Sequence, residues 1–225
     1  MGSALSYIRR RGCEMIIAVD GPAAAGKGTL SRLLAEHYTL AWLETGSLYR
    51  AVALKLLRSG DDPEDPQSAA NAVKLLKPTE LYDPELRRED VGAAASKVAA
   101  IPTVRAALME FQRDFARNPP GNTQGAVLDG RDIGTVVCPD ANYKIYVTAT
   151  PEARANRRFL ELREKGEAVD EQMVLATTNE RDARDSERVT SPLKPAADAY
   201  LLDTTNLSID AAFAALKIYI SGKSD

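Results

Sequence analysis

Five short apolar runs punctuate this chain, at residues 15–19, 40–43, 126–128, 144–148 and 200–202, and stretches with helical spacing separate them. The first, Met-Ile-Ile-Ala-Val, is rich in β-branched residues and lacks apolar–polar alternation. That is the pattern of a parallel strand covered on both faces. From Thr29 to Glu36 the apolar positions then recur at helical intervals. Repeated strand-then-helix order predicts an α/β fold, with a five-stranded parallel sheet, helices on both faces and right-handed crossovers. Ligands should gather at the carboxyl edge of such a sheet, where the connecting loops emerge.

Two regions fall outside the alternation. Residues 60–122 open with Gly-Asp-Asp-Pro-Glu-Asp-Pro, continue helically over 67–76, 87–100 and 104–117, and close at Asn118-Pro-Pro-Gly121. They are expected to form an inserted helical lobe. Residues 151–188 are also helical, are broken near Lys165-Gly166, and are expected to form a mobile lid. The single domain at 15–225 then has its core in residues 15–59, 123–150 and 189–225.

The loop after the first strand is the strongest chemical signal. Asp20-Gly-Pro-Ala-Ala-Ala-Gly-Lys-Gly-Thr29 leaves a strand and enters a helix. Gly21 and Gly26 let the backbone wrap so that successive N–H groups face one anion, while Lys27 adds a compact positive charge. The helix N-terminus favours the same anion. Gly21, Pro22, Ala23, Ala24, Ala25, Gly26, Lys27, Gly28 and Thr29 are therefore candidate polyphosphate ligands. The usual hydroxyl after the lysine is displaced by one place, to Thr29 behind Gly28, a form common in small nucleotide kinases. A glycine-rich turn with a solvated lysine would not require a strand before it and a helix after it.

Composition narrows the partners. With 225 residues, 44% hydrophobic and 27% charged, the chain has the balance of a soluble globular protein. No apolar run approaches the length of a membrane span. A net charge of −3 argues against a broad nucleic-acid surface and for a small anionic substrate. Cys13 and Cys138 form no disulfide framework, which points to the reducing cytoplasm. In residues 1–14, Met1-Gly2 with Ser6 fits a myristoylation pattern and the arginines hint at a transit peptide. The reading adopted is a disordered extension, with Met15 the natural start.

Further clusters outside this loop carry charge. Asp129-Gly-Arg-Asp-Ile-Gly-Thr135 follows a strand, so its side chains should stand beside the phosphate loop. Asp129 occupies the place of an acidic residue near Mg²⁺, Arg131 suits a phosphate, and Asp132 suits a base. An Asp-Gly turn with surface charges is the plainer reading. In Glu180-Arg-Asp-Ala-Arg-Asp-Ser-Glu-Arg188, helical spacing sets Arg181, Arg184, Asp185 and Arg188 on one face. Arg181 precedes Asp185 in the less favourable order for an ion pair, and the three arginines repel, so an anion fits against them. Arg154, Arg157 and Arg158 form another set, open to two readings: an exposed basic face or phosphate contacts. Thr45 and Gly46 suit a helix N-terminus, with Arg50 one turn on and able to reach a second phosphate. His37 reads as a surface residue near a helix C-terminus.

The chain closely resembles the bacterial cytidylate kinases, within the P-loop nucleoside monophosphate kinases. The resemblance rests on Asp20–Thr29, Thr45-Gly46, Tyr49-Arg50-Ala51, Ala95-Ser96-Lys-Val-Ala99, Pro102, Val104-Arg105, Asp129-Gly-Arg-Asp-Ile-Gly-Thr-Val-Val137, Arg181-Asp182 and Arg184-Asp185. Pro192-Leu193, Ala196-Ala-Asp-Ala199 and Asp203 extend it, so that it covers nearly everything from Met15 onward. Glu44, where the family often has Asp, and a short segment at 63–87 depart from the pattern. The resemblance implies a monomeric, Mg²⁺-dependent transferase passing the γ-phosphate of ATP to CMP or dCMP in pyrimidine nucleotide metabolism. It implies the three-layer P-loop fold with 60–122 as the monophosphate-binding insertion. It assigns Lys27, Asp129, Arg131 and Arg184 to catalysis and adds Arg157 to the ATP site. It assigns cytosine to Ser96, Arg105 and Asp132 with Arg188 nearby, the ribose to Arg181 and Asp185, and the monophosphate to Arg50 and Arg131, with Thr45 beside them. Mg²⁺ is carried by the ATP phosphates, with Thr29 or Asp129 reaching it through water. A kinase for UMP, AMP or another acceptor, and an ATP-sensing module without transfer, are the competing readings.

Overall fold

A computed structural model describes residues 15–121, 123–188 and 191–223. The readings made for residues 1–14 lie outside the described residues. Five parallel strands form one sheet in the order β2-β3-β1-β4-β5. They are β1 (Met15–Asp20), β2 (Ala41–Glu44), β3 (Gly125–Gly130), β4 (Tyr143–Thr148) and β5 (Tyr200–Asp203), each close to its predicted run. The chain winds to one side of β1 through β2 and β3, then crosses to the other for β4 and β5. The loops leaving β1 and β3 consequently emerge side by side at the carboxyl edge.

Alternation along β1 divides the core. Ile17 and Val19 face a cluster with Leu30, Leu34 and Ala35 of α1 (Lys27–Tyr38) and with Ala212, Leu216 and Ile220 of α8 (Ile209–Gly222). Ala18 faces the opposite cluster, built from Val52 and Leu56 of α2 (Thr45–Ser59) and Leu128 of β3. The segment at 60–122 packs into that same cluster through Ala69 of α3 (Pro66–Lys74), Val91 and Val98 of α4 (Glu89–Val98), and Val104 and Leu108 of α5 (Pro102–Arg117). Residues 87–88, expected to be helical, instead end a 3₁₀ turn at Pro84–Arg87 and cap α4, because Pro84 and the Asp83 cap nucleate a separate short turn.

The 151–188 region is a helical pair, α6 (Pro151–Glu164) and α7 (Glu171–Glu187), parted at Gly166 with φ +80°. Among the described residues its own apolar cluster has three buried members, Ala155, Leu162 and Val174. Arg188, expected on the last turn of the helix, is its C-cap, with extended backbone at φ −56° and ψ 131°.

Gly21 fixes the start of the phosphate loop. Its φ is +144°, and an added Cβ would lie 1.9 Å from the Val147 carbonyl oxygen of β4. Gly21→Ala should lower stability by on the order of 3 kcal/mol, since backbone must move on both sides of the clash. Chemical denaturation checks this, and a loss below about 1 kcal/mol would contradict the packing.

Candidate active site

The loops leaving β1, β2 and β3, with α4, α6 and α7, enclose a cavity of about 480 Å³. One end is lined by Ala23, Ala24, Gly26, Lys27, Gly28 and Thr29. Gly21, Pro22 and Ala25 lie behind this wall, and Pro22 contributes its carbonyl, which accepts from Lys27 Nζ at 2.7 Å. Lys27 is 7% exposed. Burial first, and then the neighbouring Arg131, lower its pKa to about 7. Asp129, also buried, is raised to about 6 by its removal from water, with Lys27 opposing and Glu44 reinforcing that shift.

Register explains how Asp129 is held. Glu44 pairs with Asp129 across β2 and β3, so Trp42, two residues earlier on the same face, is its diagonal neighbour. The Trp42 indole Nε1 donates to Asp129 Oδ2 at 3.0 Å. Thr45 is likewise fixed, its hydroxyl donating to the Asp129 carbonyl at 2.8 Å. Glu44 turns instead toward Arg87 and accepts two bonds, at 2.9 and 2.6 Å. The bidentate pair holds the 84–87 turn against β2.

Across the cavity lie Ser96 and Arg105, with Asp132 beneath them. Arg105 and Asp132 form an ion pair whose side chains are 4% and 7% exposed. Arg105 also donates to the Ala99 carbonyl at 3.3 Å, and its guanidinium stands over the Tyr49 ring. Burial raises the Tyr49 hydroxyl above its usual range. Tyr49 lines the cavity although its chemistry gave no signal apart from the family motif.

Between the two ends is a knot of charge. Arg131 Nε donates to Asp185 Oδ2 at 2.8 Å. Burial pulls the Arg131 pKa down, but Asp185, Asp129 and Asp20 together more than offset this and hold it above its ordinary value. Burial would raise Asp185, yet Arg131, Arg181 and Arg188 keep it below the usual carboxylate range. Arg181 is lowered to about 10 by burial and by Arg131. Buried nitrogens of Arg181, Arg188 and Arg105 have no hydrogen-bond partner among the described residues. Such orphaned donors are costly, and a bound anion or carbonyl would satisfy them. Arg50 is anchored at the same place, donating to the Leu86 carbonyl at 2.6 Å, and a Cβ on Gly92 would come within 2.9 Å of its guanidinium.

Three arginines stand elsewhere than expected. Arg184 is solvent-exposed and does not line the cavity: at about 100° per residue it and Asp185 fall on opposite sides of Arg181, which leaves Arg184 at the solvent edge of the shared face. Arg157 also lies outside the lining and bonds Thr204, whose hydroxyl donates to the Ala25 carbonyl behind the phosphate loop. Arg154 is no exposed cation: it is 2% exposed, ion-paired with Asp182 and bonded to the Ala149 carbonyl. Arg158 of that set does line the cavity and pairs with Glu89 of α4. His37 is exposed, edge-on to Tyr38 and Phe213, as a surface residue should be.

Comparison with known proteins agrees with this geometry. Residues 17–221 match the model of the family described as cytidylate kinase. A protein named cytidylate kinase from Methylocella silvestris is 55% identical over 94% of this chain and 96% of its own. Another of that name, from Paramagnetospirillum magneticum, is 55% identical over 92% of this chain and 98% of its own. A solved structure of an uncharacterized protein from Eubacterium ventriosum aligns with a TM-score of 0.54 at 16% identity, over 92% of this chain and 99% of that one, and shares the fold.

Proposed function

The chain belongs to the cytidylate kinase family, and on that footing we propose that it transfers the γ-phosphoryl group of ATP to CMP or dCMP, as a cytoplasmic monomer. The observation that carries this is the division of one cavity into a phosphate cradle around Lys27 and a buried Arg105–Asp132 pair, with arginine nitrogens that have no partner among the described residues. Cytosine offers an amino donor and two acceptors, so a carboxylate flanked by arginine donors complements it. Uracil would turn a carbonyl toward Asp132.

The P-loop amides and Lys27 hold the ATP phosphates, and Arg50 and Arg131 hold the acceptor phosphate. Ser96, Arg105, Asp132 and Arg188 read the base, while Arg181 and Asp185 reach the sugar. The attacking phosphate oxygen is already ionised at neutral pH, so positioning and charge neutralisation carry the catalysis without a general base. The thin apolar cluster of α6 and α7 supports their action as a lid that excludes water when both nucleotides are bound. Arg157 then serves the ATP side from behind the loop, and Arg184 acts only if the lid rotates inward.

Mg²⁺ fits the donors present. Asp129 and Thr29 offer hard oxygen ligands beside Lys27, and among the described residues no group of three acidic, His or Cys side chains forms a cage. An ion held mainly by phosphates and water, with one or two protein oxygens, matches Mg²⁺ preference. Bound there, it would neutralise charge on the transferring phosphoryl group.

ADP production across a panel of nucleoside monophosphates tests the reading. CMP and dCMP should be turned over well above UMP and AMP. Equal rates would reassign the acceptor, and ATP consumption independent of any acceptor would favour a sensing module. Lys27 gives a second expectation. With a pKa near 7 in the free protein, it is roughly nine-tenths neutral at pH 8. Phosphate favours the ammonium, so ATP binding at pH 8 should take up close to one proton. Calorimetry in buffers of different ionisation enthalpy measures this, and no uptake at pH 8 would contradict the perturbed lysine.

A further inference from the structure

Asp20, the last residue of β1, is a buried carboxylate that the mechanism above does not use. It is 4% exposed and does not line the cavity. Its two oxygens accept the consecutive backbone N–H groups of Ile133 and Gly134, both at 2.8 Å and more than a hundred residues away in sequence. These amides open a single π-helical turn, Ile133–Val137. The first N–H groups of any helix lack partners within it. Asp20 is therefore a cap supplied by another strand, and its charge makes both bonds strong.

The residue immediately before those amides is Asp132. Its carbonyl accepts from the N–H groups of Val136 and Val137 at 2.9 and 3.2 Å. The peptide following Asp132 is thus pinned from two directions, by the π turn on its carbonyl side and by Asp20 on its amide side. With the backbone held, few side-chain rotamers are open to Asp132, and the observed one meets Arg105. π-helical turns are rare and frequent at functional sites.

Resting on the cytosine-reading role proposed for Asp132, we propose that Asp20 is a positioning residue for base selection: it ties the strand feeding the phosphate loop to the turn that aims Asp132. Its two bonds go to the turn beside Asp132, on the acceptor side of the site, whereas toward Lys27 and Arg131 it acts as a nearby charge. Disturbing the clamp should therefore act on the acceptor base more than on ATP.

Asp20→Asn keeps the shape but offers one acceptor oxygen and turns an NH₂ group toward the second N–H. The ratio of kcat/KM for CMP over UMP should fall at least tenfold and the KM for CMP should rise, with the KM for ATP within about threefold. In an Asp132→Asn background the same change should leave the ratio where Asp132→Asn alone puts it, because Asp20 acts through Asp132. A ratio within twofold of wild type, an additive fall in the double variant, or equal rises in both KM values would overturn the proposal. Asp20→Glu guards against a variant that does not fold. It keeps the carboxylate but adds a methylene, so its oxygens cannot meet both amides where Asp20 meets them at 2.8 Å. It should lower the ratio at least threefold, and an unchanged ratio also overturns the clamp. A wild-type enzyme with no preference for CMP would instead sink the cytosine reading itself, which separates the two failures.

Discussion

Replacing Lys27 with Ala should lower kcat about a thousandfold without unfolding the protein. The ammonium lies at the mouth of the phosphate loop, held by the Pro22 carbonyl at 2.7 Å, and is already stripped of water. A preorganised donor in a dry site contributes far more to a developing phosphoryl charge than the same group in water, and losing one costs about 10²–10³ in rate. Lys27 also positions the phosphates, which carries the expectation to the upper end of that range. Stability should not fall. Burial depresses the folded-state pKa from 10.5 to about 7, so the folded state gains stability as pH rises from 7 toward the unfolded value and holds this lysine at a cost near neutral pH, a cost that alanine removes. Single-turnover rates and melting curves test both halves, and turnover within tenfold of wild type would refute the assignment.

Asp132→Asn should lower the preference for CMP over UMP about a thousandfold. In the wild type, uracil sets a carbonyl against a buried carboxylate with no donor between the two oxygens, the kind of mismatch that yields discrimination of about 10⁴ or more. The amide supplies a donor as well as an acceptor, so UMP gains while CMP loses. The cost falls on Arg105, whose charge loses its partner in a nearly closed site. Breaking a buried pair in this way destabilises by about 3–5 kcal/mol. Thermal denaturation in parallel with kcat/KM for both nucleotides separates specificity from folding. An unchanged ratio in a folded protein would remove Asp132 from base reading.

The strands, the phosphate loop and most of the charged clusters were legible because each depends on local spacing. A buried parallel strand needs a short apolar run, and a phosphate cradle needs glycines and a lysine at fixed intervals. Trp42 gave no such signal, since its bond to Asp129 depends on the register between β2 and β3. Arg184 shows the converse: its motif suggested an inward residue, and the rotation of α7 set it in solvent.

Sequence alone therefore determined the α/β alternation, the anion-binding loop and the family, all of which are written in neighbouring residues. Tertiary structure alone decided which charges meet: Arg105 with Asp132, Arg131 with Asp185, Glu44 with Arg87, and Asp20 with the amides of Ile133 and Gly134. The physical reason is that a charge acts over a few ångströms of space, and these partners are brought together only when the loops leaving separate strands converge on one sheet edge.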